Sequence, residues 1–226
     1  MSNDDQIIAL LGAGQPETAR KFLGSWEERR NASFIDANRE AKLRSASGGH
    51  EPAVRGQLRY HMGEQALKPA AQSSGLGHLA MSTIRPGASF IAARVGRFAL
   101  VSINVRDVQR MPRRSATRLS LSQSNQDIDP QPDWLIESSQ PTVLAYLGCL
   151  ASVPNPADHT APRELAIAIP SRDLRRWISW IPINRAAALL LGDAGSKSDP
   201  SGSESVIPDN AFATLRLPPQ ETTDEQ

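Results

Sequence analysis

ASFIAARVGRFALVSINV, residues 88–105, places runs of β-branched and aromatic residues on either side of Gly96. Such residues favour the pleated, half-buried surface of a sheet, and a glycine between two runs marks a tight turn. The spacing predicts two antiparallel strands joined at Val95-Gly96. Working outward, HLAMSTI (78–84), TRLSLS (117–122) and ELAIAIP (164–170) read as further strands, with a loop at DIDPQPD between the last two. PTVLAYLGCLAS (141–152) is almost continuously apolar, which suits a buried helix or a strand, and we read it as a helix. Ser171 can cap a helix SRDLRRWISWI, with Leu174, Trp177, Ile178 and Ile181 along one side, and RAAALLLG forms a helix closed by Gly192.

Before the hairpin the periodicity is helical. QIIALLGAG reads as a short helix stopped by glycines. A longer one starts at Pro16, with Ala19, Phe22, Leu23 and Trp26 at helical spacing. Along it Arg29, Arg30, Arg39, Lys42 and Arg44 are balanced by Glu27, Glu28, Asp36 and Glu40, the pattern of a solvated helix face. SASGGHEP (45–52) is a loop signal. The expected architecture is α+β: a helical N-terminal arm (1–46), a core (53–192) built as a mixed or antiparallel sheet with packed helices, and a disordered, low-complexity acidic tail (193–226). Within that tail AFATLRLP (211–218) has the alternation of a short extended segment.

VRGQLRYHMGEQAL (54–67) decides which polar side chains meet. As a strand to Met62, it sets Val54, Leu58, Tyr60 and Met62 on one face with Gly56, and Arg55, Gln57, Arg59 and His61 on the other. As a helix, His61 would point roughly 120° away from Arg55, and Gly56 and Gly63 would weaken the element. The strand is preferred, followed by a short helix from Glu64. Two guanidiniums and an imidazole then share a surface suited to a phosphate, with Glu64 able to orient His61. An enzyme acting on phosphodiesters or a phosphorylated small molecule would use His61 for proton transfer and Arg55 and Arg59 for developing negative charge.

The formal net charge of +1 conceals a polarity along the chain. Seven arginines and one acid, Asp107, lie between Arg94 and Arg118, whereas seven acids face Lys197 and Arg216 from Asp193 onward. Arg106, Arg110, Arg113, Arg114 and Arg118 are interspersed with Ser and Thr, residue types that together donate to phosphate oxygens. Aromatic residues form only 5% of the chain, which argues against base stacking and for backbone contact. The leading expectation is therefore a nucleic-acid-associated or regulatory protein, with Arg55 and Arg59 as additional contacts and the acidic tail as a competitor for its arginines. A protein-interaction module, anchored by an exposed Trp26 or Trp134, is a third class.

Other chemistries find little support. No apolar run approaches the roughly 20 residues of a membrane span, and two aspartates occupy the start where a secretory signal carries positive charge, so a cytoplasmic protein without membrane contact is expected. The single cysteine, Cys149, lies among apolar residues as a buried thiol does. GAGQPET lacks the preceding strand and third glycine of a dinucleotide fingerprint. No histidine pair has helical zinc spacing, and the acids Asp127, Asp129 and Asp133 sit among prolines in a loop. Neither a metal nor a cofactor is expected.

Overall fold

A computed structural model of the chain describes residues 2–45, 50–84, 89–129 and 145–193. Residues 46–49 of the 45–52 loop, Asp133, Trp134 and, beyond Asp193, the whole of the acidic tail with its 211–218 segment lie outside the described residues. The fold is α+β, a six-stranded mixed sheet with helices on both faces.

Helix α1 (Asn3–Leu11) opens with a capping box in which Ser2 Oγ accepts from the Asp5 N–H and the Asp5 carboxylate accepts from the Ser2 N–H, filling orphan donors of the first turn. Helix α2 (Pro16–Arg44) has proline in its first turn, where the missing N–H is not needed. Ala19, Phe22, Leu23, Trp26, Phe34, Ala37 and Ala41 repeat at helical spacing along its buried face. Helix α3 (Glu51–Ser73) lies beside it, and α5 (Ile183–Asp193) buries Ile183, Ala186 and Leu190. No helix among the described residues is long and apolar enough to cross a membrane.

Strands β1 (His78–Ser82), β2 (Ser89–Val95), β3 (Phe98–Asn104), β4 (Tyr146–Pro154), β5 (Pro162–Pro170) and β6 (Trp177–Pro182) are neighbours in chain order. Every adjacent pair is antiparallel except β3 and β4, which run parallel from Phe98↔Tyr146 to Asn104↔Ser152. A parallel pair requires a crossover, and this one carries a helix α4 (Ala116–Ser122) and a 3-10 turn (Gln123–Ile128). Buried Asn125 pins that crossover to the sheet: its Nδ2 donates to the Leu147 and Pro170 carbonyls at 2.9 and 2.7 Å, and its Oδ1 accepts from the Leu147 N–H at 2.8 Å.

One sheet face, with Val95, Phe98, Leu100, Leu150, Ile167 and Ile181, packs against Ile7, Phe22, Trp26 and Leu67 in a single core. The opposite face carries smaller residues, Ala92, Ala99, Cys149, Ala151 and Ala168, and is covered by the crossover through Val108 and Leu121 and by the edge-to-face pair Trp177 and Trp180. Each large side chain wholly removed from water on the first face contributes about 1.5–3 kcal/mol, so that face supplies most of the apolar stabilisation.

The hairpin at 88–105, the strands at 78–84 and 164–170 and the helices at both ends of the described chain match the sequence pattern, the hairpin turn falling at Gly96-Arg97. Four segments do not. Residues 54–62 belong to helix α3. TRLSLS belongs to helix α4, about two turns long, whose N-cap, Ser115, accepts from the Arg118 N–H. Residues 146–152 form β4, a strand with both faces buried, for which apolar continuity is the expected pattern. SRDLRRWISWI is a turn leading into β6; Ser171 caps that turn, accepting from the Arg175 and Arg176 N–H groups, and Leu174 takes a left-handed φ of 55° that no helix could follow.

Candidate anion-binding cavity and a buried arginine cluster

The helical form of residues 54–62 separates the side chains that a strand would have aligned. Arg55 and Arg59, one turn apart, point into the α2–α3 interface and are buried, while His61 is exposed and meets Tyr60 edge to face at 5.4 Å. Arg55 Nη1 donates to Glu51 Oε1 at 2.7 Å and approaches Asn38 Oδ1 at 3.4 Å. Arg59 Nη2 donates to the His159 carbonyl at 2.6 Å, and its buried Nε has no hydrogen-bond partner among the described residues.

A third arginine joins them. Arg30, expected on a solvated face, is fully buried. Its Nε donates to Ser152 Oγ at 2.7 Å, Nη1 to Ser33 Oγ at 3.0 Å and to the Arg59 carbonyl at 2.7 Å, and Nη2 to Asn104 Oδ1. The Arg30 and Arg59 guanidiniums both lie over the Phe34 ring, at 4.8 and 4.6 Å from its centre. Burial, with the Arg59 charge nearby, pushes Arg30 down to about 9; burial, with Arg55 nearby, pushes Arg59 down to about 10. Both remain charged at neutral pH. Gly63 provides the space: a Cβ there would stand 2.0 Å from Arg30 Nη1. All three nitrogens of the Arg30 guanidinium are engaged by the fold, so the cluster ties α2 and α3 to the carboxyl ends of β3 and β4 rather than presenting a surface.

The arginines of the crossover behave differently. Arg106, Arg110, Arg113 and Arg114 are exposed and Arg118 is half-buried. None of the five makes an ion pair with a carboxylate among the described residues. Arg114 Nη2 donates to the Asp173 carbonyl and Arg118 Nη1 to the Arg113 carbonyl at 2.7 Å. Each such bond uses one nitrogen of a group that carries five N–H donors.

Beneath Arg113, Arg114 and Arg118 lies a cavity of about 620 Å³. Its origin is a parting of strands. β2 pairs with β3 only over Ala92–Val95 and Phe98–Val101; beyond that β2 follows β1 and β3 follows β4. The Arg94 N–H donates to Gly77 on the β1 side, so strand alternation turns the Ile91 N–H toward β3. There it meets Glu64 Oε1 at 3.0 Å, a carboxylate from α3 in place of a strand partner. Phe90, Val101, Ile103, Leu121 and Cys149 supply apolar lining, and Tyr60 and Glu64 reach it from α3. Burial raises the Tyr60 hydroxyl above its ordinary range, with the Glu64 charge adding to that effect and Arg118 opposing it; all three residues line the cavity. Burial pushes the Cys149 thiol up to about 12, which leaves it neutral and unreactive at physiological pH.

Of the residues singled out from sequence, the cavity gathers Glu64, Arg113, Arg114 and Arg118. Arg106 and Arg110 stand outside it on the same connection, and His61, Arg55 and Arg59 are not among its lining. The apolar part of the lining comes from strands whose inward residues cannot be assigned to a cavity rather than a core from sequence. Asp129, considered as part of an acid pair, is buried against Arg176 Nη2 in an ion pair. Among the described residues no three His, Cys, Asp or Glu side chains come together as a metal site would require.

No protein-family model matches the chain, and no curated protein or solved structure matches it.

Proposed function

We propose that the chain is a cytoplasmic nucleic-acid-associated protein that contacts backbone phosphates through the crossover connection bearing Arg106, Arg110, Arg113, Arg114 and Arg118. The observation that carries this reading is that these five guanidiniums sit on one connection without an ion pair to a carboxylate among the described residues, the Arg114 charge reaching Asp173 only at longer range, in contrast to Arg55 and Arg176, which are paired. Arginines held by backbone carbonyls keep a fixed position and further donors for phosphate oxygens, and release of counterions supplies the free energy of association. The lone buried Cys149 suits a reducing compartment.

Binding of labelled single- and double-stranded DNA and RNA, followed by fluorescence anisotropy across salt, tests this reading. Replacing Arg113 and Arg114 together by alanine is expected to weaken binding across all sequences and to reduce the salt slope of log affinity by about 2. Removal of residues 194–226, whose sequence is acidic, is expected to strengthen binding if those acids compete for the arginines. A full-length chain that binds none of the four polymers at low salt excludes the proposal.

A further inference from the structure

We infer that the cavity at the parting of β2 and β3 binds a single amphipathic anion, with an apolar body among Phe90, Val101, Ile103 and Leu121 and a compact oxyanion head against Arg113, Arg114 and Arg118. The inference shares arginines with the nucleic-acid reading but rests on the cavity, and it stands or falls by itself.

Size is the first ground. About 620 Å³ lies within the range of pockets that enclose a small organic ligand and exceeds what an inorganic ion needs. Its lining is the second. The wall formed by β2, β3 and β4 is mostly apolar, with Ser89 and Ser102 as its polar members, so a wholly hydrophilic ligand would leave Phe90, Val101 and Ile103 facing it without gain. Charge is the third. Three arginines line the space against one acidic residue, Glu64, whose carboxylate already accepts from the Ile91 N–H. An anion is favoured over a cation or a neutral ligand at such a rim, because charge-assisted bonds to arginine strengthen where apolar walls exclude water.

Construction also favours binding over a packing fault. Arg118 and Arg114 are tethered by the Arg113 and Asp173 carbonyls, so their guanidiniums are held in place without a ligand. The Thr117 hydroxyl accepts from the Ile84 N–H at 3.0 Å, fastening the start of α4 to the segment that follows β1, beside the same opening. Binding then pays little to order the site. The head group is a carboxylate or a phosphate monoester, since arginine presents parallel N–H donors to either.

Isothermal titration of the full-length chain with decanoate, octyl phosphate, decanol and inorganic phosphate tests the assignment, each below its aggregation limit. Decanoate or octyl phosphate is expected to bind at least about tenfold more tightly than decanol, which lacks the charge, and than inorganic phosphate, which lacks the chain. The better of the two names the head group. Arg118→Gln is expected to weaken that binding about tenfold or more. Val101→Phe fills the cavity from a half-buried strand position and is expected to abolish it; Leu121→Trp, from the α4 side, serves the same purpose should Val101→Phe fail to fold. Both should leave nucleic-acid affinity within about twofold, since they change no charge.

Equal binding of decanol and decanoate, binding that survives both fillings, or no amphiphile binding below about 1 mM would each overturn the inference. Amphiphile binding without nucleic-acid binding leaves it standing while removing the proposed function. The reverse result removes the cavity assignment alone.

Discussion

Gly96→Ala is expected to destabilise the protein by about 3–4 kcal/mol, and to lower the melting temperature by roughly 6–16 °C in a calorimetric scan. Two independent costs combine. Gly96 has a left-handed φ of 54°, which any residue with a Cβ adopts only under strain. The added Cβ would also lie 2.3 Å from the Leu11 carbonyl oxygen and 2.4 Å from that of Leu10, where α1 ends against the hairpin turn. Neither atom can swing aside as a side chain would, and the neighbouring Arg97 N–H donates to the same Leu10 carbonyl at 3.0 Å. The substitution therefore has to prise α1 from the sheet. By contrast Gly75→Ala, with a similar φ of 72° but nothing near its Cβ position, should show only the strain, roughly 1–2 kcal/mol. Equal melting temperatures for the two variants would show that the α1 carbonyls do not constrain the turn.

Arg30→Ala is the second large effect, a loss of about 3–5 kcal/mol. The deletion opens a cavity in the α2–α3 interface and strips a donor from Ser152, Ser33, Asn104 and the Arg59 carbonyl at once. Relief of a buried charge offsets part of that, but four acceptors without donors outweigh it. Arg30→Lys distinguishes shape from charge. A lysine keeps the charge yet offers one nitrogen where the guanidinium spans four acceptors in a fixed fork, so it too should lose at least about 2 kcal/mol. If urea denaturation places Arg30→Lys beside the unaltered protein, a cation alone suffices and the fork geometry is incidental.

The buried arginines also explain the largest departure from the sequence reading. In α3 the buried positions are Arg55, Arg59, Gly63, Ala66, Leu67, Ala70 and Ala71, a helical stripe from end to end. Hydropathy hides its first half, because two of those positions are charged and one has no side chain. What remains visible, Val54, Leu58, Tyr60 and Met62, alternates as a strand does. A glycine that weakens a helix in isolation is here the one residue that admits Arg30, so the feature counted against the helix is part of what holds it in place. The β2–β3 hairpin was legible because it depends on local turn chemistry. β4 was not, because a strand covered on both faces loses its period. As for the site, the arginines of the crossover stand out by charge alone, whereas the cavity beneath them depends on where two strands part, a property of pairing that no single segment encodes.

The lone parallel seam has a kinetic consequence. β1–β2–β3 and β4–β5–β6 are two three-stranded meanders, each assembled from neighbours in sequence, but Phe98 meets Tyr146 across 48 residues. Closing so long a segment costs chain entropy before any contact repays it. The two meanders are therefore expected to gain structure as separate units and to be welded late, when Arg30 reaches Asn104 on one and Ser152 on the other. Pulse-labelled hydrogen exchange would show β2–β3 and β5–β6 amides protected ahead of those between β3 and β4; simultaneous protection of all three would mean that the halves never exist apart. On this view the buried guanidinium is less a brace of the finished molecule than the clasp that joins its two independently made parts.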